Sequence, residues 1–128
     1  MTKMLNSLEG MRVLIVNDDK ILLRYTSHLI NQWKGSTDFA MDGKMAVKMV
    51  SENIYDIVLM DPMMPIMDGY EATRLIRSME GEYFRNLPII IFFRMPEYER
   101  MRECGATDFI SIDSLKEDFH ALLSRYLK

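Results

Sequence analysis

The chain has 128 residues, 48% of them hydrophobic and 27% charged, with a net charge of −3 at pH 7. That length suits one compact domain burying roughly 65 to 70% of the surface its unfolded form exposes, and the composition is neither disordered in character nor basic enough for nucleic-acid binding. The single Cys104 leaves no internal disulfide, MTKMLNSLEG at the start lacks the apolar core of a signal peptide, and no apolar stretch approaches the about 20 residues that span a bilayer, so a soluble cytoplasmic protein without membrane contact is expected.

Apolar runs and amphipathic stretches alternate five times. MRVLIVN (11–17) reads as a buried strand, and KILLRYTSHLINQW (20–33) as a helix with Leu22, Tyr25, Leu29 and Trp33 at helical spacing. STDFAMD (36–42) is a second strand, and Asp42 caps a helix that carries Ala46, Met49 and Val50 on one face. YDIVLMD (55–61) is the third strand, and YEATRLIRSM (70–79) a helix with Ala72, Leu75, Ile76 and Met79 inward. LPIIIFF (87–93) is the fourth strand, followed by a short helix in EYERMRECG that Gly105 stops. TDFISI (107–112) is the fifth. The last helix opens on Ser114 with Glu117 three residues later, a capping box, and carries Leu115, Phe119, Leu122, Leu123 and Tyr126 inward.

Near-continuous apolar strands alternating with helices imply a doubly wound α/β fold, a five-stranded parallel sheet covered on both faces. Residues 1–10 read as an N-terminal extension and 11–128 as the domain. The 13 methionines, spread along the chain, read as adaptable core filler.

In such a sheet, functional side chains gather at the carboxyl ends of the strands. Asn17, Asp18 and Asp19 follow the first strand, and Asp61 ends the third, its predicted neighbour. Two carboxylates placed so close repel, and a divalent cation with oxygen ligands, Mg²⁺ above all, resolves the repulsion. Asp19 reads as a helix N-cap. Asp68-Gly69 reads as a turn whose glycine takes positive φ, with Asp68 structural. Lys20 reads as a surface residue at a helix start.

From Met11 to its end, and most specifically in DPMMPIMDGYEATRLIR, the sequence resembles response-regulator receiver domains, the phosphoaspartate modules of two-component signalling. The resemblance implies a flavodoxin-like sheet in the order 2-1-3-4-5. It implies that Asp61 accepts a phosphoryl group from a histidine kinase or histidine phosphotransfer protein. It also implies a Mg²⁺ site on Asp18, Asp61 and the Met63 backbone carbonyl, with Asn17 contributing through water in the place of the family's first acidic residue. The resemblance further implies a downstream protein partner that receives the signal. The IRSMEG-then-LPIII layout resembles the receivers of hybrid histidine kinases somewhat more than other receivers.

The switch positions depart from the family pattern. Phe93 holds the place of a Thr or Ser, Ile112 that of a Lys and Asp113 that of a Pro, while Phe109 keeps the aromatic place on the fifth strand. Phe93 and Gly105 are 12 residues apart, about three fewer than the family interval, so the helix between them should be short or displaced. Arg94 reads as a solvated loop arginine, with a substitute cation as the alternative. Two functions remain in competition: a phosphoacceptor receiver with weakened Mg²⁺ affinity and slowed phosphorylation, and a pseudo-receiver that binds proteins independently of phosphate. A Mg²⁺-dependent phosphohydrolase is disfavoured, because IVNDDK lacks the second aspartate two residues on that such enzymes place after their first strand. No independent enzyme activity is expected beyond self-catalysed phosphorylation and dephosphorylation of Asp61.

Overall fold

A computed structural model of the chain describes residues 7–127; residues 1–6 of the expected N-terminal extension and Lys128 lie outside the described residues. Five strands, β1 (Arg12–Val16), β2 (Ser36–Ala40), β3 (Ile57–Met60), β4 (Ile89–Phe93) and β5 (Asp108–Ser111), form one parallel sheet in the order β2-β1-β3-β4-β5. The helices are α1 (Lys20–Gln32), α2 (Gly43–Glu52), α3 (Gly69–Ser78), α4 (Glu82–Asn86), α5 (Tyr98–Glu103) and α6 (Leu115–Ser124). This is the doubly wound topology expected from the βα alternation.

Alternation within the strands builds two cores, because successive side chains leave opposite faces. Leu14, Val16, Val58, Met60, Ile89 and Ile91 pack with α2, α3 and α5, while Val13, Ile15, Ile57, Leu59, Ile90, Phe92 and Ile110 pack with α1 and α6. Leu8, within the segment assigned to the extension, is fully buried in the second core.

The helix faces differ from their expected stripes where polar groups find partners. α1 buries Leu23, Thr26, Ser27 and Ile30 rather than the stripe through Tyr25, which is exposed; Leu22, Leu29 and Trp33 flank the core partly buried. The shift costs little because Thr26 Oγ1 donates to the Leu22 carbonyl (2.9 Å) and Ser27 Oγ meets Thr37 Oγ1 (3.0 Å). In α3, Thr73 is buried in place of Leu75, its hydroxyl donating to the Gly69 carbonyl at 2.7 Å.

Two turns also differ. Ser114 makes no side-chain cap, so the capping box is absent; β5 ends at Ser111, whose Oγ accepts from the Asp113 N–H (3.2 Å) and opens a 3₁₀ turn over Ile112–Ser114. Gly69 does not take positive φ but begins α3, and it must be glycine because a Cβ there would run into the Asp61 carbonyl oxygen. The left-handed residue of that loop is Ile66 (φ 71°), a strained conformation for a β-branched side chain. Gly105 (φ 88°) stops α5, which has only six residues, as the shortened interval implies.

Candidate functional site

β1 and β3 are adjacent, with Val16 opposite Met60, and the residues that follow them converge on one cleft. Its volume is about 300 Å³, and Asp18, Asp61, Met63 and Arg94 lie along it with Asp19, Met95 and Glu97. Each acidic side chain has a distinct local origin.

Asn17 follows β1 in a buried position, its N–H donating to the Ala40 carbonyl (3.0 Å). Its Oδ1 accepts from the Asp19 N–H (2.9 Å), a tight side-chain turn that leaves Asp18 projecting at the surface between them. That oxygen is already committed, and Asn17 is not among the residues lining the cleft. Asp19 caps α1, its Oδ1 accepting from the N–H groups of Ile21 (3.0 Å) and Leu22 (3.3 Å).

Asp61 stands one residue beyond β3, and its N–H continues the ladder to the Val16 carbonyl (2.9 Å). Its Oδ1 accepts from the Met63 N–H at 3.1 Å, which fixes the carboxylate in the mouth of the loop. The loop is closed by Met67 N–H to Pro65 O (2.8 Å) and Gly69 N–H to Pro62 O (3.0 Å). Burial, with Asp18 and Asp19 adding to it, pushes the Asp61 carboxyl from 3.8 up to about 6 against the opposing effect of the Met63 N–H and Arg94. A carboxylate held this way attracts cations.

Arg94 is the solvent-exposed loop arginine expected from the sequence, and it is also paired. It follows β4 directly and extends into the cleft, Nη2 reaching Asp19 Oδ2 at 3.2 Å. Lys20, in contrast, lies outside this cleft and lines a separate groove between α1 and β2. The spacing that puts Arg94 at the carboxyl end of a strand beside β3 is the signal that could have identified it.

Phe93 and Phe109 are partly buried against the α2/α3/α5 core, and Ile112 leans against the α1/α6 core. Asp113 is exposed. None of the four lines the cleft. The methionines divide as well: Met11, Met60 and Met101 fill core, but Met63 and Met95 are 62% and 77% exposed beside the acids, so core filling does not describe them.

A second arginine ties α5 to the loop. Arg100 bonds the Asp68 carboxylate (2.8 Å), which also caps α3 at the Glu71 N–H (2.9 Å), and its guanidinium lies 4.4 Å above the Tyr70 ring. Burial would raise the Asp68 carboxyl, but the Glu71 N–H and Arg100 outweigh it and hold the group below its ordinary range. Tyr70 is fully buried beneath Arg100. Arg100→Met removes a partly exposed ion pair and a cation–π contact, so unfolding should become easier by about 1 kcal/mol in urea titration, with faster amide exchange confined to α5. An unchanged α5 exchange rate would show that the helix is held by its apolar face alone.

The donor chemistry of the cleft suits a hard cation. Asp18, Asp61 and the peptide of Met63 offer oxygen ligands only, which favours Mg²⁺ over softer metals. Among the described residues no group of three or more His, Cys, Asp or Glu is placed to hold a metal, and Asp19 is engaged by its helix cap and by Arg94.

Comparison with known proteins agrees. The chain matches the response regulator receiver domain family over residues 13–124. The transcription factor SKN7 of Saccharomyces cerevisiae is 30% identical over 123 residues, covering 94% of this chain and 19% of that protein. The CAI-1 autoinducer sensor kinase/phosphatase CqsS of Vibrio cholerae is 46% identical over 80 residues, 62% of this chain and 11% of that protein. The chain thus corresponds to less than a fifth of the length of these curated relatives. The crystal structure of the receiver domain of histidine kinase CKI1 from Arabidopsis thaliana, complexed with Mg²⁺, superposes with a TM-score of 0.83 at 28% identity and 94% coverage of both chains.

Proposed function

The chain belongs to the receiver domain family of response regulators, and from that premise we propose that it accepts a phosphoryl group on Asp61 from a histidine kinase or histidine phosphotransfer protein and passes the change to a protein partner. The observation that carries this reading is the convergence of Asp18 and Asp61 on one cleft, with Asp61 held by the Met63 N–H and its carboxyl raised to about 6.

Oδ1 of Asp61 is occupied by that N–H, so Oδ2 is the oxygen that meets phosphorus. The new O–P bond forms as the donor's P–N bond breaks, and the electron pair stays with the departing imidazole. Asp18, Asp61 and the Met63 carbonyl hold Mg²⁺, which when bound neutralises charge on the transferring phosphoryl oxygens. With Asn17 in place of an acid and its Oδ1 accepting from the Asp19 N–H, Mg²⁺ affinity is weakened. Its location is cytoplasmic; no helix among the described residues is long and apolar enough to cross a membrane.

A second reading rests on Phe93 and Ile112, whose apolar side chains pack on the two cores where a hydroxyl and an ammonium would serve phosphate. It makes the domain a protein-binding module indifferent to phosphorylation. Acetyl phosphate with and without Mg²⁺ separates the two by intact mass: the receiver reading expects one added phosphoryl group that requires Mg²⁺ and disappears in Asp61→Ala. A mass unchanged after hours at saturating Mg²⁺ would leave the binding module standing.

A further inference from the structure

We propose that Arg94 supplies the cation that grips a phosphoryl group at Asp61, in place of the lysine that Ile112 has displaced. This deepens the phosphoacceptor reading and rests on it.

The geometry starts with Asp19. One of its carboxylate oxygens is fixed by two N–H groups at the start of α1, and the other holds Arg94 Nη2 at 3.2 Å. A capped helix thus anchors the guanidinium over the cleft that contains Asp61. The other charged groups along the cleft, Asp18, Asp19, Asp61 and Glu97, are all acidic, so among its described lining residues Arg94 is the one cation able to meet a phosphoryl oxygen.

Arg94 also has capacity to spare. A guanidinium presents five N–H donors in a planar fork suited to phosphate oxygens, and among the described residues it engages Asp19 through Nη2 alone. Its side chain is 65% exposed, so it is free to tilt toward Asp61 while keeping its anchor. Ile112 cannot compete for the role, being an apolar side chain seated against the α1/α6 core.

Beryllofluoride, a phosphoryl mimic that binds an aspartate together with Mg²⁺, tests this on the whole chain by calorimetric titration. Arg94→Ala should weaken beryllofluoride binding at saturating Mg²⁺ by about 10- to 100-fold, Arg94→Lys should recover part of the loss, and Mg²⁺ affinity without beryllofluoride should stay equal or tighten as a competing positive charge leaves. A merely structural arginine would lower both affinities together or leave both unchanged. Beryllofluoride binding in Arg94→Ala equal to wild type overturns the role of Arg94 and leaves the phosphoacceptor reading intact. A wild-type protein that binds no beryllofluoride at saturating Mg²⁺ overturns the phosphoacceptor reading, and the role of Arg94 with it.

Discussion

Asp61→Asn should raise the melting temperature of the metal-free protein at pH 8 by roughly 5 to 10 °C and leave it nearly unchanged at pH 4. Burial, with Asp18 and Asp19 adding to it, lifts the Asp61 carboxyl from 3.8 to about 6 in the folded state. Between those values the folded protein keeps a proton that the unfolded chain has released. Stability from this group is therefore fully present below about pH 3.8, falls as pH rises to about 6 and stays low above that. Two pH units correspond to about 3 kcal/mol, and partial exposure of the side chain to water reduces this to about 2. Asparagine keeps the shape and removes the charge, so its advantage grows over the same window. Mg²⁺ should narrow the gap at pH 8 by stabilising the wild type and not the variant. Scanning calorimetry at the two pH values decides the matter; an asparagine variant no more stable than wild type at pH 8 would mean that Asp61 is solvated well enough to carry its charge without strain.

That instability belongs to the site and not to the fold, which is why the two were legible to different degrees. The βα alternation was readable because β1, β3 and β4 are buried on both faces and leave unbroken apolar runs such as LIV and IIIFF. The doubly wound reading made the first and third strands neighbours and so brought Asp18 to Asp61, while the full strand order came from the family resemblance. The face of α1 was not readable, since Thr26 and Ser27 go inward only once Leu22 and Thr37 are placed to receive their hydroxyls. Nor was α4, a five-residue turn too short to show a period, which is held in place through long-range contacts: the Tyr83 hydroxyl accepts from the Tyr55 N–H (2.9 Å), and the Phe84 carbonyl accepts from Arg77 Nη1 (2.8 Å).

The same distinction applies to the charged residues. Asp61 announces itself by a motif, whereas Arg94 and Arg100 acquire their roles from partners 75 and 32 positions away, Asp19 and Asp68. Gly69 lies between the cases. Its presence was visible, but its reason, the close approach of the Asp61 carbonyl oxygen, exists only in three dimensions.

Ile112→Lys should raise the rate of Mg²⁺-dependent phosphorylation of Asp61 by acetyl phosphate about 100-fold, and adding Phe93→Thr should raise it further. Both positions lie at the carboxyl edge of the sheet that carries Asp61: Phe93 closes β4 opposite Ser111, and Ile112 follows Ser111 at the start of the 3₁₀ turn. A preorganised donor to a charged transition state is typically worth about 10²- to 10³-fold in rate, so each restored group has room to act. The single variant is the cleaner test, because Ile112 is only partly buried and its loss disturbs the edge of one core, whereas Phe93 packs against the α2/α3/α5 core and its truncation costs about 1 to 3 kcal/mol. Ile112→Lys also meets Arg94. If Arg94 serves the phosphoryl group, the new lysine should gain less in the wild type than in Arg94→Ala, where it replaces the lost cation instead of adding a second. Equal gains in both backgrounds would mean that the two cations act on different atoms, and no gain in either would place the limit on the rate at the metal site, where Asn17 stands in place of an acid.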